Sequence, residues 1–236
     1  MSRVVKVASW LAGAFILVIL VQYPIQKSTS SWESWSLPLS GKVIVLDPGH
    51  GGVDGGAVGA DGTLEKDIAL DVTNMLRDYL QQAGALVYLT REVDQDLAAE
   101  GTKGLSRRKS EDLKNRLEFI KDKNPDFFIS VHLNALPSKK WSGAQTFYYP
   151  SLEHSELLAK KLQAEIKRNL ENTNREALAL NGMFLLKHAG LPGVLVEIGF
   201  LSNAHERELL KTEEYQRKMA ASIYEGILRY QTEDVE

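Results

Sequence analysis

Val43–Glu65 reads VIVLDPGHGGVDGGAVGADGTLE. Val43, Ile44, Val45 and Leu46 form a short β-branched apolar run, the pattern of a strand covered on both faces. Asp47-Pro48-Gly49 stops the strand, and a glycine-rich loop follows and leads into a helix. His50 and Glu65 are separated by six glycines, Gly51, Gly52, Gly55, Gly56, Gly59 and Gly62. A loop so poor in side chains packs weakly and loses entropy on ordering, so something has to hold it. A metal ion bound by His50 and Glu65 would do so. The alternative is a solvated glycine loop with an incidental histidine.

Downstream of this stretch, strand and helix patterns alternate. A helix is expected over Leu64–Ala83, with Thr63 as its N-cap and Gly84 ending it. Strands follow at Ala85–Thr90, Phe127–Val131, Ala144–Tyr149 (near an edge), Met183–Leu186 and Gly193–Ile198. Arg91–Gly104 reads as a polar surface loop. Helices are expected over Ser106–Lys123, with Leu113, Leu117 and Ile120 inward, and over His154–Asn169. A last helix runs to about Tyr230, opened by a capping box of Asn203 and Glu206. The alternation predicts an α/β fold of three layers, a mostly parallel central sheet with helices on both faces.

Upstream, Arg3 and Lys6 precede Val7–Val21, fifteen residues without a charge. This is a positive n-region before a hydrophobic segment. It is shorter than the roughly 20 residues of a membrane span, though Gln22, Tyr23 and Ile25 extend it at the interface. No small-x-small cleavage site follows it directly. Residues 1–25 therefore read as a signal-anchor in preference to a cleaved signal peptide, with everything downstream outside the cytoplasm. Residues 26–41, rich in Ser and carrying Trp32 and Trp35, read as a linker, and 42–236 as one globular domain.

The chain has 28 Lys and Arg against 31 Asp and Glu and no basic patch, which gives nucleic acid no footprint. There are no cysteines, so a metal must be held by His and carboxylates.

Three of the apolar strands end in polar groups: the first in Asp47 and His50, the third in His132 and Asn134, and Val194-Leu195-Val196 in Glu197. Ligands of open α/β sheets bind beyond the carboxyl ends of the strands. If these strands are parallel neighbours, His50, His132 and Glu197 converge on one edge, and Glu65 joins them. Two imidazoles and one carboxylate, with a fourth position left to water, make a catalytic zinc arrangement. A second carboxylate beside that water would take its proton. Glu65 and Glu197 are both candidates for ligand, and composition does not divide the two roles.

LDPGHGG (Leu46–Gly52), the acidic run around Glu65 (Asp61–Asp67), FFISVHLNA (Phe127–Ala135) and VLVEIGFLSN (Val194–Asn203) resemble the zinc N-acetylmuramoyl-L-alanine amidases of peptidoglycan. The likeness covers Gly41 to about Tyr230. It extends to the germination-specific branch of that family through SW-x-SWSLPLSGK (Ser31–Lys42), GTKG-x-SRRK (Gly101–Lys109) and KWSGAQ-x-FYY (Lys140–Tyr149). The resemblance implies zinc on His50, Glu65 and His132, with Glu197 as the catalytic carboxylate. It also implies hydrolysis of the amide between N-acetylmuramic acid and L-alanine, in spore cortex and around the forespore, en route to muramic δ-lactam. Leu133 stands where many members have alanine. No wall-binding repeat is present, so targeting falls to the anchor, to local substrate or to a partner protein that also activates. Trp141–Leu195 leaves little room for the inserted helix that plugs the zinc of division-type members, so an open site is expected.

Other candidates carry blander readings. His154, His188 and His205 read as surface or helix-end histidines, with His188 nearest the cleft. Arg116 reads as a structural ion pair in preference to a substrate contact, and Ser130 as structural. Asp54 reads either as a group orienting the metal loop or as an Asx turn. Asn134 orients His132 or the substrate, or caps a turn. Arg107-Arg108-Lys109 reads as a solvated helix face, alternatively one that meets an anionic glycan or partner. Two competing functions remain at this level. A zinc peptidase would use a similar His/Glu/His site, and as a carboxypeptidase would need a positive pocket that the sequence does not clearly display; a non-catalytic peptidoglycan-binding protein would be free to lose one of His50, Glu65, His132 and Glu197.

Overall fold

A computed structural model of the chain describes residues 2–32 and 37–232, with side chains for all of these except residues 20–32 and 153. Two compact units divide at Leu37. The first is helix α1 (Arg3–Trp32), which continues past residue 25 into the expected linker. Trp35 and residues 33, 34 and 36 of that linker lie outside the described residues. Among the described residues no helix is long and apolar enough to cross a membrane.

The second unit, from Pro38, holds strands β1 (Val43–Pro48), β2 (Leu86–Leu89), β3 (Phe127–Asn134), β4 (Gln145–Tyr148), β5 (Leu178–Ala179) and β6 (Gly193–Phe200). Its helices are α2 (Glu65–Gln82), α3 (Leu105–Asp122), α4 (Glu153–Leu170), α5 (Phe184–His188), α6 (Ala204–Leu210) and α7 (Glu213–Thr232). The six strands form one sheet in the order β2-β1-β3-β6-β4-β5, with β4 antiparallel to β6 and every other pairing parallel. The expected three-layer, mostly parallel architecture is the one observed.

The strand period of two sorts the core. Ile44 and Leu46 of β1, Phe127, Ile129 and Val131 of β3, and Val194, Val196 and Ile198 of β6 pack with α2, α4 and α7. The alternate residues Val45, Phe128 and Leu195 pack on the other face with Ile120 of α3 and Leu185 and Leu186 of α5. Continuing along that second face, Asp47, Ser130, His132 and Glu197 follow at the carboxyl ends of their strands. Gly193 lets β6 approach β3, since a Cβ there would meet the Phe128 ring at 1.9 Å. Leu39, inside the expected linker, is fully buried in the core.

Several local expectations are corrected. Met183–Leu186 is not a strand, because α5 occupies Phe184–His188. Thr63 does not cap α2; Leu64 holds the N-cap position, and the Thr63 hydroxyl donates to Asp61 at 2.7 Å. Asn203 caps its helix, accepting from His205 and Glu206 N–H at 3.1 Å. The Glu206 carboxylate turns away to accept from Gly143 and Phe200, and the helix stops at Leu210 before a separate α7 begins. Leu113 is exposed rather than inward.

Candidate metal centre

His50 sits at φ +58°, in the left-handed region that few non-glycine residues adopt. Its Nε2 lies 3.2 Å from Glu65 Oε2. His132, on the adjacent strand β3, places Nδ1 2.9 Å from Glu65 Oε1. The three residues form one group with donor atoms within 4.8 Å of one another. Ligand atoms of a tetrahedral zinc site stand about 3.3 Å apart at ordinary bond lengths, so the spacing suits such an ion. Glu65 is 3% exposed and also accepts from Ala57 N–H at 2.6 Å and Leu133 N–H at 2.9 Å. Burial alone would raise its carboxyl, but the two imidazoles outweigh burial and hold it far below the usual carboxylate range. The space around the group is fitted to it: a Cβ on Gly56 would stand 2.5 Å from Glu65 Oε2, and one on Gly49 2.4 Å from the His132 ring.

Glu197 is the register partner of His132 across the β3–β6 pair. Its Oε2 is buried without a hydrogen-bond partner. Burial pushes this carboxyl up to about 7, against the opposing pull of His132. The structure therefore brings all four expected residues to one sheet edge.

The glycine-rich loop is held by side chains that reach it from outside. Arg91, placed by sequence in a solvated loop, is 1% exposed; it donates to the carbonyls of Pro48 at 3.1 Å and Gly49 at 2.9 Å. Arg116, also 1% exposed, donates to Pro48 O at 2.8 Å and to the His50 carbonyl. Its charge is met by Asp47 at 2.7 Å and Asp112 at 2.8 Å. Lys66 donates to Gly52 O at 2.8 Å and pairs with Asp94, which accepts from Gly52 N–H. The ordering that the sequence reading gave to a metal ion is thus already supplied by cations and carboxylates of the fold. Arg116 is the expected structural ion pair. Arg91 was missed, and its signal was only a lone arginine directly after β2.

Asp54 bridges His50 to α3: Oδ2 lies 2.8 Å from His50 Nδ1, and Oδ1 2.8 Å from Lys109 Nζ. It also accepts from Gly56 N–H at 3.1 Å. Ser130 donates to Asp47 at 2.6 Å, a structural role as expected. The Asn134 carbonyl accepts from Leu201 N–H at the end of the β3–β6 pairing. His154, His188 and His205 are exposed, and His188 lies against Phe184 at 4.8 Å. Of the Arg107-Arg108-Lys109 run Arg107 is exposed and the Lys109 side chain is half-exposed; Arg108 grips Asp96 with two nitrogens, at 3.0 and 2.6 Å. His50 and His132 open into a cleft of about 320 Å³ whose far wall includes Leu113, Met183, Phe184 and Leu186.

A parallel sheet with an imidazole, carboxylate and imidazole at its carboxyl edge, and a second carboxylate across the strand pair, has the layout of a metal-assisted hydrolase. The N-acetylmuramoyl-L-alanine amidase family profile matches residues 44–229. The chain belongs to this family, and its activity is that of a peptidoglycan amidase. It is 54% identical to the germination-specific N-acetylmuramoyl-L-alanine amidase of Bacillus subtilis over 99% of this chain and 98% of that one. The CwlD amidase of Clostridioides difficile, solved in complex with the GerS lipoprotein, matches with a TM-score of 0.80 and 45% identity. That match covers 82% of this chain and all of that one. The catalytic domain of CwlV from Bacillus (Paenibacillus) polymyxa matches at a TM-score of 0.70 and 29% identity, over 80% of this chain and 97% of that one.

Proposed function

We propose that the protein is a zinc-dependent amidase that removes stem peptides from spore cortex by cutting the bond between N-acetylmuramic acid and L-alanine. The observation that carries the zinc and the chemistry is the His50, Glu65 and His132 group with the unpartnered Oε2 of Glu197 beside it. The cortex assignment rests on the 54% identity to the germination-specific relative across nearly the whole of both chains.

His50, Glu65 and His132 would hold the ion, which supplies a Lewis acid that brings the pKa of water from 15.7 to about 7. Glu197 Oε2 takes a proton from the attacking water as its oxygen bonds to the lactyl carbonyl carbon. The C–N bond breaks, and Glu197 returns that proton to the departing alanine nitrogen, leaving a lactyl carboxylic acid and an amine, which then exchange a proton to give carboxylate and ammonium. Asp54 fixes the His50 ring through Nδ1. Helix α1, with Arg3 and Lys6 ahead of its apolar run, would tether the domain outside the cytoplasm, around the forespore. The relative solved with a lipoprotein supports a protein partner for this chain as well.

The test is zinc-loaded protein on cortex peptidoglycan, read as new L-alanine α-amino groups. Glu197→Gln is expected to keep its zinc and lose at least a hundredfold in rate. Full turnover by that variant would remove Glu197 from the mechanism.

A further inference from the structure

Helix α3 presents Lys109, Asp112, Leu113 and Arg116 as one stripe to the cleft. The charges there are unevenly satisfied. Asp47 and Asp112 both pair with Arg116, which is itself out of reach of solvent. Lys109 is different: its side chain is 44% exposed, and Asp54 takes one of the three N–H donors of its ammonium. It is the solvent-reachable Lys or Arg among the residues that line the cleft. The wall beside it, Leu113, Met183, Phe184 and Leu186, is apolar. One accessible cation beside an apolar wall, near the reacting edge, suits a peptide that carries a carboxylate and lays an apolar part on the wall.

The reach agrees. Lys109 Nζ is two hydrogen bonds from the His50 ring, 2.8 Å to Asp54 Oδ1 and 2.8 Å from Asp54 Oδ2 to Nδ1. Through one carboxylate that is a separation on the order of 7 Å. An extended residue spans about 3.5 Å, so a carboxylate on the second residue of the leaving peptide falls at a comparable distance from the scissile amide.

We propose that Lys109 recognises a carboxylate on the second residue of the leaving peptide, so that the enzyme prefers an acidic residue there to its amide. The proposal rests on the amidase reading above and adds a specificity determinant to it. Lys109 reads the substrate through its own ammonium, and its hold on Asp54 makes the cation rigid instead of swinging freely in solvent.

The test uses the full-length zinc-loaded protein and two soluble glycan fragments that differ at the second stem residue, γ-linked glutamate in one and its α-amide in the other. The parent is expected to cleave the acid with about tenfold higher kcat/KM, the difference lying mainly in KM. Lys109→Met is expected to abolish the preference at unchanged zinc content, and Lys109→Arg to restore it. A Lys109→Met enzyme that still prefers the acid overturns the proposal. So does one that loses zinc and slows equally on both substrates, since Lys109 would then act only as a prop for Asp54. Turnover without preference in the parent defeats this inference alone. Absence of turnover on both fragments defeats the amidase reading and this inference with it.

Discussion

Replacing Arg116 with Met keeps the length and apolar stem of the side chain and removes only the guanidinium. In the parent that group meets Asp47 at 2.7 Å, Asp112 at 2.8 Å, Pro48 O at 2.8 Å and the His50 carbonyl. Asp47 is 1% exposed, so the variant leaves a buried carboxylate with only the hydroxyls of Ser130 and Thr90, both at 2.6 Å. Breaking a buried pair by removing one partner costs about 3–5 kcal/mol. For a domain stable by about 5–15 kcal/mol that is a large fraction, and with a urea slope of about 2 kcal/mol/M it moves the midpoint down by about 2 M.

The pH dependence gives a sharper signature. Burial alone would raise the Asp47 carboxyl, but Arg116, then Ser130 and Thr90, outweigh it and bring it from 3.8 to about 2. A depressed carboxyl contributes stability above its unfolded value, lost as pH falls through the folded one. The window is pH 4 down to pH 2, and the amount is about 2 kcal/mol. Without Arg116 the carboxyl loses the largest of the groups that lower it and moves up from about 2, so less of this contribution remains above pH 4. The stability difference between parent and Arg116→Met should therefore widen from pH 2 to pH 7, other carboxylates cancelling in the subtraction. Adding Asp47→Asn should recover part of the loss. A difference below about 1 kcal/mol at pH 7, or one independent of pH, would refute the account of how the loop is held.

Gly56→Ala puts a Cβ at φ +68°, 2.5 Å from Glu65 Oε2 and 2.6 Å from the His50 ring; zinc affinity by calorimetry should fall at least tenfold, and parental affinity would contradict the packing. Asp54→Asn weakens the grip on His50 Nδ1 and should cost 10–100-fold in zinc affinity, with little change in the urea midpoint of the metal-free protein. Arg91→Met strips the Gly49 carbonyl of its buried donor, while Pro48 O keeps Arg116, and should destabilise by about 1–3 kcal/mol, read by urea unfolding.

The strands that carry the site were legible for one physical reason. β1, β3 and β6 are buried on both faces, so each is a continuous apolar run, and a polar group terminating such a run stands out as Asp47, His132 and Glu197 do. What was illegible depends on tertiary partners. Four apolar residues at Met183–Leu186 carry no usable period, and α5 exists because Leu185 and Leu186 seat against Phe128 and Leu195. Arg91 looks solvated until the carbonyls that satisfy it are known, since nothing within its own segment predicts Pro48 and Gly49 as partners. Lys109 looked like one of three solvated charges because Asp54, its partner, is 55 positions away in sequence. Thr63 obeyed the N-cap preference of its residue type but found a closer acceptor in Asp61.

How the loop is held also decides how metal and fold are coupled. Were zinc the only thing ordering a six-glycine loop, its removal would melt the sheet edge, as with domains that are unfolded without their metal. Here Arg91, Arg116 and Lys66 fix the loop carbonyls, and Glu65 is already bound to Ala57 and Leu133 N–H. The two imidazoles and the carboxylate are then pre-placed, and the ordering entropy is not charged to metal binding. Two consequences follow together. Chelation should abolish turnover while far-ultraviolet circular dichroism and the cooperative transition persist. Zinc restored at a hundred times its Kd should raise stability by no more than the mass-action value of about 2.7 kcal/mol, several degrees in Tm for a domain of this size. A chelated protein that loses its cooperative transition would show that the metal, and not the arginine scaffold, orders the loop.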